Sequence, residues 1–249
     1  MSIKESLAPA NAPLIDPPVR LTELRESPRR PGRYVLQLSD GRNLVVGIGV
    51  LSDTGATRTG MELAPHVVER LVHESVITDL TDRAMDMLAR GRRTRRELEQ
   101  RLRRREANPG QIREALDRLE ASGVLSDEAV AGAEASARLR RGEAPARVTQ
   151  QLRRKGVAGR VAAEAVAEAV EADDFDEASA CQAVAVKRAR SLAGLEPEVA
   201  MRRLLAFLLR RGYGGQIARQ AAKEALLHSG NGDEFSPDVA PDVADEIDD

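Results

Sequence analysis

The spacing of apolar residues changes character along the chain. Tyr34, Leu36 and Leu38 alternate with Val35, Gln37 and Ser39, Asp40-Gly41 supplies a turn, and Leu44, Val46, Ile48 and Val50 resume the alternation. Two period-2 runs around such a turn predict a β-hairpin. Ahead of it, Pro9, Pro13, Pro17, Pro18, Pro28 and Pro31 remove backbone donors too often for a regular element, so residues 1–32 read as a disordered, Pro-rich arm. A loop from Ser52 to Gly60 leads to Pro65, a residue suited to the first position of a helix, here expected to run to about Val76. Residues 33–79 therefore form a small β-hairpin plus helix element.

From Leu80 the period becomes 3.6, interrupted at Gly91, Asn108-Pro109-Gly110, Gly123, Gly142, Gly156, Gly194, Gly212 and Gly214-Gly215. The pattern predicts a mainly α chain of helices about 10 to 15 residues long. Thr94 and Glu97 fit a capping box that starts a helix at Arg95, with Leu98 and Leu102 on one face. Self-comparison aligns three segments. Leu102-Arg103-Arg104-Arg105 precedes Ile112, Leu152-Arg153-Arg154-Lys155-Gly156 precedes Val161, and Leu208-Leu209-Arg210-Arg211-Gly212 precedes Ile217. Asp82, Asp127 and Asp176 stand upstream as expected helix-opening acids. The unit is a three-helix repeat of about 50 residues occurring three times, at about 80–126, 127–175 and 176–228 of an 80–228 array.

Charge sharpens this division. The full chain has 249 residues and a net charge of −2 from 38 basic and 40 acidic side chains. By segment, residues 1–79 carry −1, residues 80–228 carry +7, and residues 229–249 carry −8 with no basic group. A basic helical array is thus followed by an acidic tail, expected to be disordered. Recurrent clusters at equivalent places in the repeats suit a phosphate backbone or another polyanion. The competing reading is that arginines at helix C-termini stabilise the helix dipole and keep Ala-rich helices in solution. The candidate binding residues are Arg92, Arg93, Arg103, Arg104, Arg105, Arg140, Arg141, Arg153, Arg154, Lys155, Arg202, Arg203, Arg210 and Arg211. Only five aromatic residues are present, which argues against base stacking and against an RNA-recognition sheet.

The sequence offers no catalytic constellation. His66 and His73, with Glu69 between them, share a helical face but lack a marked third ligand. There is no phosphate-binding GxxxxGK[ST] loop, and Gly47-Ile48-Gly49 lacks the following helix of a dinucleotide site. Cys181 is the sole cysteine; it excludes an internal disulfide and reads as a small core residue. No stretch approaches the roughly 20 apolar residues of a membrane span. The expectation is a cytoplasmic, non-enzymatic protein without metal or cofactor.

Arg93-Thr94-Arg95-Arg96-Glu97-Leu98, Leu119 through Gly123-Val124-Leu125-Ser126-Asp127, Gln151 to Val157, and Leu204 through Phe207 to Tyr213 together resemble the RecX family of bacterial recombination regulators. The likeness covers residues 80–228. It implies three tandem three-helix units forming an elongated, curved array in the groove of the RecA filament on single- or double-stranded DNA. It also implies modulation, mostly inhibition, of RecA ATPase, strand exchange and coprotease activity, within homologous recombination, DNA repair and the SOS response. After Asp127 this chain departs from the family: Val130 and Ala133 to Ala137 stand where an aromatic pair is usual.

Two functional readings follow. In one, a monomer binds RecA filaments through its basic ridges; in the other, the repeats bind DNA and compete with RecA for it. For the tail, folding back on the basic repeats and acting as a solubilising segment are both open.

Overall fold

The structure is a computed structural model that describes residues 18–104 and 108–228. Arg105 and the acidic tail therefore lie outside the described residues. The polypeptide falls into two compact units, one built from the segments up to Asp86 and from Leu102 to Arg118, the other from Met87 to Arg101 and from Leu119 onward.

The first unit contains an antiparallel sheet of β1 (Leu21–Glu26), β2 (Arg33–Leu38) and β3 (Asn43–Gly47), in that order. Alternation places Leu36, Leu38, Leu44 and Val46 in the core and Gln37 and Asn43 in solvent. Leu36 pairs with Leu44, the register that the Asp40-Gly41 turn predicts. Strand β1 corrects the expectation of an unstructured arm through residue 32. Pro18 precedes it, and Pro28 and Pro31 fall in the connection to β2, so none removes a ladder donor. Its Leu21 is fully buried and pairs with Leu38. The alternation in β3 also ends sooner than expected: Ile48 and Val50 belong to helix α1 (Ile48–Thr54).

Helix α2 (Pro65–Ala89) starts at the expected proline but continues for 25 residues. No Gly or Pro interrupts positions 66–89, so nothing stops it near Val76. Asp82 consequently does not open a helix. It lies inside α2, nearly buried, and accepts hydrogen bonds from Arg33 Nη2 at 2.7 Å and Nε at 3.2 Å, with Arg30 Nη1 at 3.4 Å. These pairs clamp the β1–β2 connection to the helix. Leu21, Leu36, Leu51, Leu63, Val68 and Leu71 close the core beneath the sheet. In the same unit, Arg118 bonds Glu74 at 2.7 and 3.0 Å and Glu114 at 2.6 Å.

Helices α3 (Arg95–Arg103) and α4 (Pro109–Ala121) follow. The second unit then adds α5 (Asp127–Leu139), α6 (Pro145–Arg154), α7 (Gly159–Ala172), α8 (Glu177–Ala189), a 3-10 turn at Arg190–Leu192, α9 (Pro197–Arg210) and α10 (Gly215–His228). The capping box forms: Thr94 N donates to Glu97 Oε2 at 2.9 Å, and Glu97 N to Thr94 Oγ1 at 3.3 Å. Ser126 caps α5 and Asp176 caps α8 through their side-chain oxygens. Asp127 sits one position inside α5 and accepts from Arg95 N at 2.8 Å, supplying a second acceptor to the start of α3. Burial raises the Asp127 carboxyl above its ordinary range, with the Arg95 backbone bond opposing that effect.

The segment lacking the usual aromatic pair packs with small side chains. Ala131, Ala135 and Leu139 of α5 are buried with Val148 and Leu152 of α6 and Ala162, Val166 and Ala169 of α7. Short side chains on facing helices permit close approach and retain a dry core. The next core, across α8 to α10, uses larger groups, including Leu204, Leu208 and a 1 %-exposed Tyr213.

Candidate functional site

The basic clusters follow the last apolar residue of α3, α6 and α9. In α6 and α9, Leu152 and Leu208 point into their cores, so the next two positions turn outward on a 3.6-residue period. Arg153, Arg154 and Arg210 are exposed, and among the described residues no ion pair engages them. Arg104 and Arg103 are also exposed at the end of α3, and Arg103 has an intramolecular interaction.

The last basic residue of each of the α6 and α9 clusters behaves differently. At the end of α6, Lys155 O accepts from Thr94 Oγ1 at 2.7 Å, and Lys155 Nζ reaches Glu134 Oε2 at 2.6 Å. At the end of α9, Arg211 O accepts from Ala144 N at 3.0 Å. Its guanidinium donates to Gly142 O at 3.1 Å and to Arg141 O, and lies 5.1 Å from the Phe207 ring centre. Thus the C-terminal carbonyl of one helix meets the N-terminal cap of the helix three earlier in chain order, α6 against α3 and α9 against α6. Both ends otherwise carry unsatisfied backbone groups, and at each contact the negative end of one helix dipole meets the positive end of another.

Two glycines make these joints possible. Gly156 and Gly212 have φ of 95° and 90°, and Val157 N and Tyr213 N bond back to Leu152 O at 3.1 Å and Leu208 O at 3.2 Å. This is the Schellman ending. A Cβ on Gly156 would stand 2.5 Å from Arg96 Cβ, and one on Gly212 would stand 2.5 Å from Arg147 Cβ. The joints use residues that the binding-site reading missed, including Thr94 and Ala144. A capping threonine and a left-handed glycine are visible in sequence, whereas their meeting across some 60 positions is not.

The other candidates divide similarly. Arg92 donates to Ala129 O at 3.3 Å, and Arg140 lies 3.5 Å from Asp173. Arg93 is half-buried and its Nε has no hydrogen-bond partner. Arg141, Arg202 and Arg203 are exposed, and among the described residues none has an ion-pair partner. Of the candidate residues in the second unit, those exposed with neither an ion pair nor a side-chain hydrogen bond among the described residues are Arg141, Arg153, Arg154, Arg202, Arg203 and Arg210.

Cys181 is buried, its thiol pushed up to about 11 by burial and by the nearby Glu177 charge. His73 Nε2 lies 2.8 Å from Glu114 Oε2, and the described residues hold no group of three or more potential metal ligands. A cleft of about 470 Å³ between α8 and α10 is lined by Ser179, Gln182, Gln216, Gln220 and Glu224, without a basic side chain. Among the described residues, no helix is long and apolar enough to cross a membrane.

Comparison with known proteins decides the family. The description "RecX, first three-helix domain" matches residues 82–119, and "RecX, third three-helix domain" matches residues 176–222. The regulatory protein RecX of Halorhodospira halophila is 38% identical over 146 residues, covering 58% of this chain and 86% of the relative. The chain belongs to the RecX family. The regulatory protein RecX of Amycolatopsis mediterranei is 35% identical over 146 residues, covering 58% of this chain and 82% of its own. A crystal structure of regulatory protein RecX superposes with a TM-score of 0.56 at 19% identity, over 88% of this chain and 95% of the other. RecX from Lactobacillus salivarius superposes with a TM-score of 0.51 at 20% identity, over 61% and 97%. These structural likenesses establish the shared RecX fold, mainly helical and built from three-helix domains. The RecX-family chain described here also carries the small three-stranded sheet.

Proposed function

We propose that this RecX-family protein is a non-catalytic regulator that binds RecA filaments on DNA and restrains their ATPase, strand-exchange and coprotease activities. The observation that carries this reading is the set of exposed arginines at the ends of α6 and α9, Arg153, Arg154 and Arg210, that have no carboxylate partner among the described residues. Unpaired guanidinium groups retain their donors for phosphate or carboxylate. Several such contacts on one ordered chain add through avidity, without one deep pocket. Contact along a filament groove would slow ATP turnover by restraining subunits, with no group of this chain touching the nucleotide.

The test is charge reversal. Arg153→Glu with Arg154→Glu is expected to raise the concentration needed for half-inhibition of RecA ATPase about tenfold or more, from two lost charge-assisted contacts. Folding stability should change by less than about 0.5 kcal/mol, because both side chains are exposed. Unchanged inhibition contradicts the proposal. Comparing naked single strands with preformed filaments identifies the target: equal affinity for both assigns the protein to DNA competition instead.

A further inference from the structure

Residues 176–228 carry nine basic and five acidic side chains, a net of +4. Among the described residues, none of those nine cations forms an ion pair. In residues 127–175, by contrast, Arg138, Arg140, Arg147, Lys155 and Arg160 each lie within 3.5 Å of a carboxylate. The unpaired charge includes one outward face of α9. A seven-residue spacing nearly completes two helical turns, so Arg202 and Leu209 share one row and Arg203 and Arg210 the next. All four are exposed, Leu209 at 43%, giving a cationic face with an uncovered aliphatic side chain.

A complementary segment follows the last helix directly. Residues 229–249 contain eight acids and no cation, and Phe235, Val239, Val243 and Ile247 recur among the acids at every fourth position. We propose that this acidic, apolar-spaced segment is the intramolecular occupant of the α9 face and competes there with the polyanion. The inference rests on the proposed use of that face in binding; it adds the regulation of the face by the chain itself. An attached segment acts at an effective concentration of about 1 mM, so an intrinsic dissociation constant near about 0.1 mM closes the face about ten to one. Apparent affinity for an external polyanion then falls about tenfold.

The experiment compares the full-length protein with a full-length variant whose eight acids from Asp233 to Asp249 are changed to Asn or Gln. With a fluorescent oligothymidylate probe, the variant is expected to bind about tenfold more tightly at about 50 mM salt and less than about twofold more tightly at about 300 mM. A synthetic peptide of residues 229–249, added to that variant, should bind it, and R202E, R203E and R210E together should abolish the binding. Equal oligonucleotide affinity of both forms at low salt overturns the competition. Failure of the peptide to bind, or binding insensitive to the three reversals, overturns the assignment to α9. A tightening that grows with protein concentration places the segment on a neighbouring copy and overturns the intramolecular claim. If neither form binds oligonucleotide, DNA contact by the face fails, while the peptide measurement still decides the intramolecular contact.

Discussion

Replacing Gly212 by alanine tests whether the joint between repeats is a source of stability distinct from the helix ending that contains it. Gly123 provides the control: it has φ of 72°, ends α4 with Val124 N bonded to Leu119 O at 3.1 Å, and a Cβ there would meet nothing within 4 Å. Gly123→Ala therefore incurs only the left-handed penalty of an L-residue, about 1 to 2 kcal/mol. At Gly212 the same penalty applies, and the new Cβ would also stand 2.5 Å from Arg147 Cβ and 3.5 Å from Ala144 Cβ. Relief must displace the end of α9 from the start of α6 and stretch the 3.0 Å bond from Ala144 N to Arg211 O. Overpacking of this kind adds about 1 to 3 kcal/mol, for a total loss of about 2 to 5 kcal/mol. Urea unfolding followed by far-UV circular dichroism gives both values from midpoint and slope. Gly212→Ala should exceed Gly123→Ala by at least about 1 kcal/mol, a fivefold or greater difference in the unfolding equilibrium. Equal losses would refute the joint.

Three further outcomes follow from individual contacts. Thr94→Ala removes a cap and the bond to Lys155 O and should cost about 1 to 2 kcal/mol in urea unfolding, with Thr94→Ser restoring most of it; no loss would exclude the cap as a stabilising joint. Asp82→Asn leaves Arg33 half-buried without its carboxylate and should cost about 2 kcal/mol by the same assay, whereas a neutral result would mean that the clamp to β1–β2 contributes nothing. Burial acts to raise the Glu134 pKa, but hydrogen bonds from Lys155 and Arg138 outweigh it and hold the carboxyl below its ordinary value of 4.5. That stabilisation is complete above the ordinary value and is lost as pH falls through the lowered one. Glu134→Gln should accordingly flatten this part of the acid limb of a stability–pH curve, and an unchanged limb would contradict the pairing.

Local features of the fold were legible where one short pattern dictates one geometry. The alternation on both sides of Asp40-Gly41 specifies β2, β3 and their register, and Thr94 with Glu97 specifies the start of α3. Strand β1 was not legible because proline was counted over the whole arm, although Pro18, Pro28 and Pro31 all stand outside the ladder. The length of α2 was hidden because no single amphipathic stripe runs through it: its buried side chains run from Val68 to Ala84 and include the charged Asp82. At the candidate site, sequence identifies the basic clusters but not the division of labour within them. Lys155 and Arg211 turn to structural use because their backbone carbonyls meet Thr94 and Ala144, contacts between helices far apart in the chain. The exposed Arg153, Arg154 and Arg210 have no such partner, and only tertiary structure separates the two kinds.

The most direct test of the central claim is a titration of the purified full-length protein into RecA filaments preassembled on single-stranded DNA, with ATP hydrolysis followed continuously. The account predicts a saturable fall in hydrolysis that Arg153→Glu with Arg154→Glu shifts to about tenfold higher concentration. Hydrolysis that stays constant at saturating wild-type protein would contradict it.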